Sequence, residues 1–171
     1  MKPRILKWLA ISVVLILVSC TGEDRVIPQT RCKRAIAIAT QTWEVDYYIS
    51  KTSGGMNTQR THAFQSNTLT NFNGEKPVDA VSGPDDNGVW WAALPPRPTA
   101  DEVDQNRETQ ERNDPPLLER SIDYQLDCET GTLLTNALTY REAARSIRSG
   151  QAVSVTYLGN QALKIEKNDG Q

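Results

Sequence analysis

The stretch Ile122-Asp123-Tyr124-Gln125-Leu126-Asp127-Cys128 decides the fold of this chain. Apolar side chains alternate with polar ones along its whole length, which is the period of a β-strand with one buried face. A turn-forming Glu129-Thr130-Gly131 follows, and residues 132–138 can pair back as the second strand of a hairpin. The segment therefore predicts antiparallel β-structure in the C-terminal third of the chain.

The same alternation occurs in the N-terminal half. Residues 43–50 alternate between apolar and polar side chains, whereas Ile36 and Ile38 occupy the opposite parity. We therefore expect a bulge or a separate strand before Trp43. Residues 52–55 predict a turn, and residues 61–72 predict a second, weaker strand.

The end of the chain predicts one helix and one hairpin. Thr139 and Glu142 fit a capping box, and the helix is expected to run to about Ser149 before a glycine. Residues 152–158 and 162–166 flank a Gly-Asn dipeptide, which is typical of a tight hairpin.

Between these regions lies a polar, proline-rich excursion at residues 95–116. Thr99 and Glu102 fit a capping box for a helix reaching toward Arg112. Because this helix has almost no apolar face, we expect an exposed arm or a partly disordered segment.

These elements predict an α+β fold: a small antiparallel β-sheet domain with one short C-terminal helix and the excursion. An all-β barrel or sandwich is the alternative. The predicted organisation is a signal peptide at 1–19, a lipidated N-terminus and tether at 20–34, and a single domain at 35–171.

The first 20 residues predict export and lipid anchoring. Three basic residues precede an 11-residue apolar run from Trp8 to Val18, which is shorter than the roughly 20 residues of a membrane-spanning helix. The following Leu17-Val18-Ser19-Cys20 resembles the lipobox of bacterial lipoproteins. The resemblance implies cleavage before Cys20, acylation of this cysteine with chains such as palmitate, and an extracytoplasmic membrane location, inner or outer.

Charge and cysteine usage narrow the function classes. Loss of the signal peptide leaves 16 basic against 21 acidic residues, and an acidic domain argues against nucleic-acid binding. With Cys20 acylated, we expect Cys32 and Cys128 to form a disulfide, the alternative being two buried thiols. These two cysteines and the single His62 make a poor zinc site, so we predict no metal.

Two features are candidates for partner binding. Trp90 and Trp91 precede the proline run and could bind a glycan or an envelope protein, although core packing of one of them is the favoured alternative. Arg141, Arg145 and Arg148 recur at helical spacing and could meet phosphate, lipid head groups or an acidic protein surface. A solvated helix face is the favoured alternative for the arginines.

The sequence contains no nucleophile motif, phosphate loop or dinucleotide fingerprint, so we predict no catalytic residues and no cofactor. Residues 88–99 resemble segments of uncharacterised cyanobacterial envelope proteins, which implies no activity. The leading hypothesis is a non-enzymatic lipoprotein that binds or helps assemble an envelope or membrane component. The alternatives are an envelope hydrolase whose site involves His62 or carboxylates, and a purely structural envelope lipoprotein.

Overall fold

A computed structural model of the chain describes residues 27–49 and 58–166. The predicted signal peptide, Cys20 and the predicted turn at residues 52–55 lie outside these residues.

Seven strands and two helices occur within the described ranges. They are β1 (Gln29–Ile49), β2 (Thr58–Phe72), α1 (Ala100–Gln105), β3 (Arg112–Asn113), β4 (Leu117–Cys128), β5 (Gly131–Thr135), α2 (Ala137–Arg148), β6 (Val153–Leu158) and β7 (Gln161–Glu166). The expectation of a β-rich α+β fold is confirmed. Both C-terminal hairpins form, although the second strand of the first hairpin ends at Thr135 rather than at residue 138.

The strand β1 organises a single sheet. It pairs with β2, β3, β4 and β6, and the strand order is β2-β1-β4-β5-β7-β6. The sheet is mixed rather than wholly antiparallel, because β5 and β7 run parallel where Leu134 meets Gln161. The domain also begins earlier than predicted, since residues 29–34 of the expected tether belong to β1.

The buried face of β1 carries small side chains where α2 covers it. Ala35, Ala37 and Ala39 are at most 1% exposed and lie in the same cluster as Ala143 and Ala144 of α2. Small residues on both sides allow helix and sheet to approach closely. Ile36 and Ile38 instead lie half-buried on the opposite face. The strand β1 is continuous from Gln29 to Ile49. Its pairing with β2 has an irregularity between Thr42 and Glu44.

The N-cap of helix α2 lies three residues before the predicted cap. The side chain of Asn136 accepts a hydrogen bond from the Thr139 N–H at 3.0 Å, which makes Asn136 the N-cap and places Thr139 inside the helix. Asparagine is at least as good an N-cap as threonine, and the helix gains a turn by using it. The end matches the prediction, because Ser149 caps the helix and Gly150 follows with φ +76°.

Cys32 and Cys128 are register partners on β1 and β4 and form a disulfide. The predicted pairing is therefore confirmed. The bond joins the start of β1 to the end of β4 across 96 residues of chain, which reduces the conformational freedom of the unfolded state.

The proline-rich segment packs on the sheet. Side chains of the sheet hold its backbone: Asn71 donates to the Trp90 carbonyl at 3.1 Å, Gln41 to that of Ala92 at 3.1 Å, and Trp43 to that of Pro95 at 2.9 Å. Of these three anchored positions only Pro95 belongs to the excursion, so the sheet holds the start of the excursion in place. The sequence missed the contact because its donors are polar residues of strands more than 18 residues away.

The helix α1 is shorter than predicted and is anchored by one side chain. The Thr99–Glu102 capping box is present, but the helix ends at Gln105 rather than near Arg112. Val103 is 5% exposed and joins Val45 and Tyr47 of β1 in a second, smaller apolar cluster. A single buried position supports about one turn and a half of helix, since the remaining side chains have nothing to pack against.

Candidate functional site

One side of α2 carries the three arginines that the sequence selects, and the structure brings them together. Arg141, Arg145 and Arg148 line a cleft of about 300 Å³. Positions four and seven residues apart lie on the same side of a helix. We name this feature the arginine cleft. Its other lining residues are Tyr140 and Ala144 of α2, Gly74, and residues 84–88.

The wall opposite α2 is a turn built by Asp85. One carboxylate oxygen of Asp85 accepts from the Asn87 N–H at 2.9 Å and the Val89 N–H at 3.0 Å. The other accepts from the Trp91 indole N–H at 3.3 Å. Hydrogen bonds that the following backbone N–H groups donate to an aspartate side chain define an Asx-type turn. Both oxygens of Asp85 are thus engaged in shaping the loop.

Gly74 brings the two walls of the arginine cleft close together. It follows β2 with φ +68°, a conformation that favours glycine. A Cβ atom at this position would lie 3.6 Å from the Gly88 carbonyl oxygen and 3.9 Å from the Ala144 Cβ. The Trp90 indole N–H also donates to the Gly74 carbonyl at 3.4 Å. The turn after β2 is therefore packed between the loop and the helix.

The three arginines differ in their partners. Arg141 donates to the backbone carbonyl of Asp86 at 3.1 Å and so ties α2 to the opposite wall. Arg145 and Arg148 are exposed, and within residues 27–49 and 58–166 neither side chain forms a hydrogen bond or an ion pair. Two guanidinium groups at one cleft thus keep their donors for solvent or for a ligand.

Tyr140 supplies a buried hydroxyl to the same cleft. Its side chain is fully buried, and the ring packs against Tyr124 with 5.2 Å between the ring centroids. The hydroxyl lies near the Gly74 backbone, but it makes no hydrogen bond of normal geometry with the described residues. Burial raises the pKa of Tyr140 to about 12, with smaller opposing effects from the Gly74 backbone and the Arg148 charge. Tyr140 is therefore a neutral hydrogen-bond donor at physiological pH.

The negative charges of the cleft belong to Asp85 and Asp86. Because both oxygens of Asp85 accept hydrogen bonds, its charge is partly compensated by the loop. Asp86 is exposed, and its carboxylate has no hydrogen-bond or ion-pair partner in the described part of the chain. The site thus combines three positive side chains with one compensated and one free carboxylate.

The tryptophan pair does not form an exposed platform. Trp91 is 6% exposed and belongs to the main core, with the Arg120 guanidinium 5.1 Å from its ring centroid. This burial agrees with the favoured alternative, in which one tryptophan of the pair packs into the core, and it leaves little of the Trp91 ring for a partner to contact. Trp90 is half-buried and has the Lys76 ammonium 5.4 Å from its ring centroid, and its backbone N–H donates to Asn71.

In the described part of the chain, His62 does not share a cleft with the carboxylates considered for a hydrolase. His62 packs edge-on against Phe64, with 4.8 Å between the ring centroids, and it lines none of the clefts described here. A separate cleft contains Glu44, Asp46 and two further acidic residues, Asp114 and Glu119. In the described ranges no cluster of three or more His, Cys, Asp or Glu side chains has the geometry to hold a metal ion.

Comparisons with known proteins give no identification. No protein-family model matches the chain, and neither the curated proteins nor the solved structures contain a significant match. Among the described residues, no helix has the length and hydropathy needed to cross a membrane.

Sequence reasoning selected the arginines but missed Tyr140, Gly74 and the loop wall at 84–88. A local signal for Tyr140 existed, because it lies three and four residues before Ala143 and Ala144 and so shares their buried face. A buried tyrosine next to a stripe of arginines combines an apolar ring with a polar tip at the edge of a charged surface. No comparable signal connects Gly74 or residues 84–88 with α2, since at least 48 residues of chain lie between them and the helix.

Proposed function

We propose that this protein is a lipid-anchored extracytoplasmic lipoprotein that binds an acidic component of the cell envelope through the arginine cleft and catalyses no reaction. The observation that carries the binding role is the convergence of Arg145 and Arg148, both without a partner among the described residues, on one cleft. Charged groups in a folded domain are normally paired or freely solvated, and a shared cleft of like charges favours an anionic ligand.

The anchor is supported by the Leu17–Cys20 motif. A cysteine bearing two or three acyl chains remains attached to a bilayer, since each buried methylene contributes about 0.8 kcal/mol. The strand β1 starts at Gln29, nine residues after Cys20. At about 3.4 Å per residue, this connection holds the domain within roughly 30 Å of the membrane surface. Ligands on the membrane or just above it are thus within reach.

The lipid anchor is tested by metabolic labelling with a fatty-acid analogue in a bacterial host. Wild-type protein is expected to carry the label and to remain in the membrane fraction after a high-salt wash. Cys20→Ala should lose the label, whereas Ser66→Ala on β2 should keep it. Label retained by the Cys20→Ala protein would contradict the proposed anchor.

The binding role is tested by co-purification of the acylated protein in mild detergent, with mass-spectrometric identification of what accompanies it. The double substitution Arg145→Glu/Arg148→Glu should release the accompanying component. The matched control Arg107→Glu/Arg112→Glu reverses two exposed charges outside the arginine cleft and should retain it. Equal retention by both variants, or recovery of the wild-type protein alone, would contradict the binding role.

A further inference from the structure

We propose that the arginine cleft is a binding site for a phosphoryl group, held by the guanidinium groups of Arg145 and Arg148 and by a hydrogen bond donated from the Tyr140 hydroxyl. This inference rests on the proposed binding function and specifies the chemistry of its ligand.

The first step of the argument is the unpartnered hydroxyl. A buried polar atom without a hydrogen bond is destabilising, and such atoms are uncommon in native proteins. Tyr140 is fully buried, lines the arginine cleft and has no hydrogen-bond partner among the described residues. A ligand oxygen that reached this hydroxyl from the arginine cleft would accept its hydrogen bond and remove the penalty.

The second step concerns the charge of that acceptor. The guanidinium groups of Arg145 and Arg148 line the same cleft and have no partner in the described ranges. Arginine donors form a planar fork that matches phosphate and carboxylate oxygens. Because the Tyr140 phenol stays neutral at physiological pH, it donates to an anion without adding charge.

The third step separates phosphate from carboxylate. A phosphomonoester carries a charge of about −1.5 to −2 near neutral pH and presents three acceptor oxygens. Two guanidinium groups and one hydroxyl supply three sets of donors, and the two positive charges match the phosphomonoester. A carboxylate has one negative charge and two oxygens, so it balances only one of the two guanidinium charges and offers fewer acceptor atoms than a phosphomonoester. The arrangement therefore favours a phosphoryl group.

The walls limit what accompanies the phosphoryl group. Gly74 and Ala144 lie close together on one side, while Arg145 and Arg148 are exposed on the other. The volume of about 300 Å³ holds a phosphate and a small adjoining group, and a larger molecule would extend into solvent. The same phosphoryl chemistry occurs in soluble phosphorylated compounds and in lipid head groups.

The experiment uses the full acylated protein in micelles of an uncharged detergent. Binding of inorganic phosphate is measured by titration calorimetry at constant ionic strength, with acetate as the comparison anion. Phosphate should bind measurably tighter than acetate. Arg145→Gln and Arg148→Gln should each weaken phosphate binding about ten-fold, the effect expected for one charge-assisted hydrogen bond. Arg112→Gln is the matched control and should bind as the wild type does.

Tyr140→Phe isolates the contribution of the hydroxyl. This substitution keeps the ring and is expected to preserve the fold, which circular dichroism checks, while weakening phosphate binding about five-fold. Phosphate binding by Tyr140→Phe equal to that of the wild type would overturn the role of the hydroxyl. Equal binding of phosphate and acetate, or no effect of either arginine substitution, would overturn the phosphoryl site.

A second arm identifies the source of the phosphoryl group. One sample contains uncharged micelles doped with phosphatidic acid. The other contains undoped micelles and dissolved glycerol 1-phosphate. Binding that depends on Arg145 in the doped micelles assigns a lipid head group, and binding that depends on Arg145 to glycerol 1-phosphate assigns a soluble ligand. Release of the envelope component by Arg145→Glu/Arg148→Glu without any phosphate binding would overturn this inference alone. Phosphate binding by a protein that retains no envelope component would overturn the proposed function alone.

Discussion

Two buried tyrosines lie beside arginine side chains in this protein, and they differ in how completely their polar groups are satisfied. The Tyr47 hydroxyl donates to the Val103 carbonyl at 2.8 Å, and the Arg60 guanidinium lies 4.3 Å from the Tyr47 ring centroid. Tyr140 is just as buried, but its hydroxyl has no partner in the described part of the chain. Tyr47 and Arg60 therefore form a contact in which the hydroxyl is satisfied, whereas the Tyr140 hydroxyl remains available to a ligand.

The arginines follow the same division. Arg60 donates to both carboxylate oxygens of Glu111, at 2.9 and 2.7 Å, and to the Asn106 carbonyl at 2.6 Å. A bidentate ion pair of this kind joins the segment after α1 to the strand β2. Arg145 and Arg148 have no comparable contact within the described residues. Chemically similar side chains thus stabilise one region and remain available in the other.

The largest effect is expected at Tyr47. Tyr47→Ala removes the largest side chain of the second apolar cluster and should lower the free energy of unfolding by about 3 kcal/mol. Urea denaturation followed by circular dichroism measures this loss. Tyr48→Ala on the same strand alters a side chain that faces the other way and should cost much less. Similar losses for both variants would contradict a structural role specific to Tyr47.

A smaller effect compares the two hydroxyl groups directly. Tyr47→Phe should lower the free energy of unfolding by about 1 kcal/mol, because it removes a satisfied buried hydrogen bond. Tyr140→Phe should leave stability unchanged or raise it by up to about 1 kcal/mol, because it removes an unsatisfied hydroxyl. Both values come from urea titrations in phosphate-free buffer. A loss at Tyr140 as large as that at Tyr47 would mean that the Tyr140 hydroxyl has a partner in the free protein.

The contrast also explains how much could be predicted from sequence. Strands and hairpins such as residues 122–135 were predictable because alternation and turn residues act over a few positions. The capping box at Thr99 was predictable for the same reason. Asn136 and Thr139 are both adequate caps, so only the packing of α2 on the sheet decides between them. The fold class therefore follows from local sequence patterns, whereas the exact ends of the helices do not.

The arginine cleft was only half predictable. Helical spacing places Arg141, Arg145 and Arg148 on one side of α2, but the facing wall comes from Gly74 and the loop at residues 84–88. That wall depends on the hydrogen bonds of Asp85 and on the long-range pairing of β1 with β2. Likewise, nothing local distinguishes buried Trp91 from half-buried Trp90. Contacts across long sequence separations are the part that periodicity does not encode.

Acid should lower the stability of the protein through the ion pair between Arg60 and Glu111. The hydrogen bond from Arg60 is the largest of the effects on the Glu111 carboxyl, and it lowers the pKa of Glu111 below its ordinary value of 4.5. A carboxylate whose pKa is lower in the folded state stabilises the protein above its unfolded pKa, and this contribution is lost as the pH falls through the folded pKa. Wild-type protein should therefore lose more stability below about pH 4.5 than Glu111→Gln does.

The measurement is a series of urea titrations at decreasing pH for both proteins. Glu75→Gln removes an exposed carboxylate without an ion pair in the described residues and serves as the control for the loss of one charge. Parallel pH profiles for the wild type and Glu111→Gln would show that the Arg60–Glu111 pair makes no pH-dependent contribution.

The smallest predicted effect tests the charge balance of the arginine cleft. Asp86 is the one carboxylate of the cleft that has no partner among the described residues, and it opposes any anion that Arg145 and Arg148 attract. Asp86→Asn should therefore strengthen phosphate binding about two-fold, the size expected for an exposed charge. The backbone carbonyl that binds Arg141 remains in this variant. Titration calorimetry at low and high salt measures the change, which should shrink as salt screens the charge. Asp79→Asn, an exposed aspartate outside the cleft, should leave binding unchanged. Weaker phosphate binding by Asp86→Asn would mean that the Asp86 carboxylate orients an arginine rather than repelling the ligand. The arginine cleft would then contain a paired arginine, as the Arg60–Glu111 contact does.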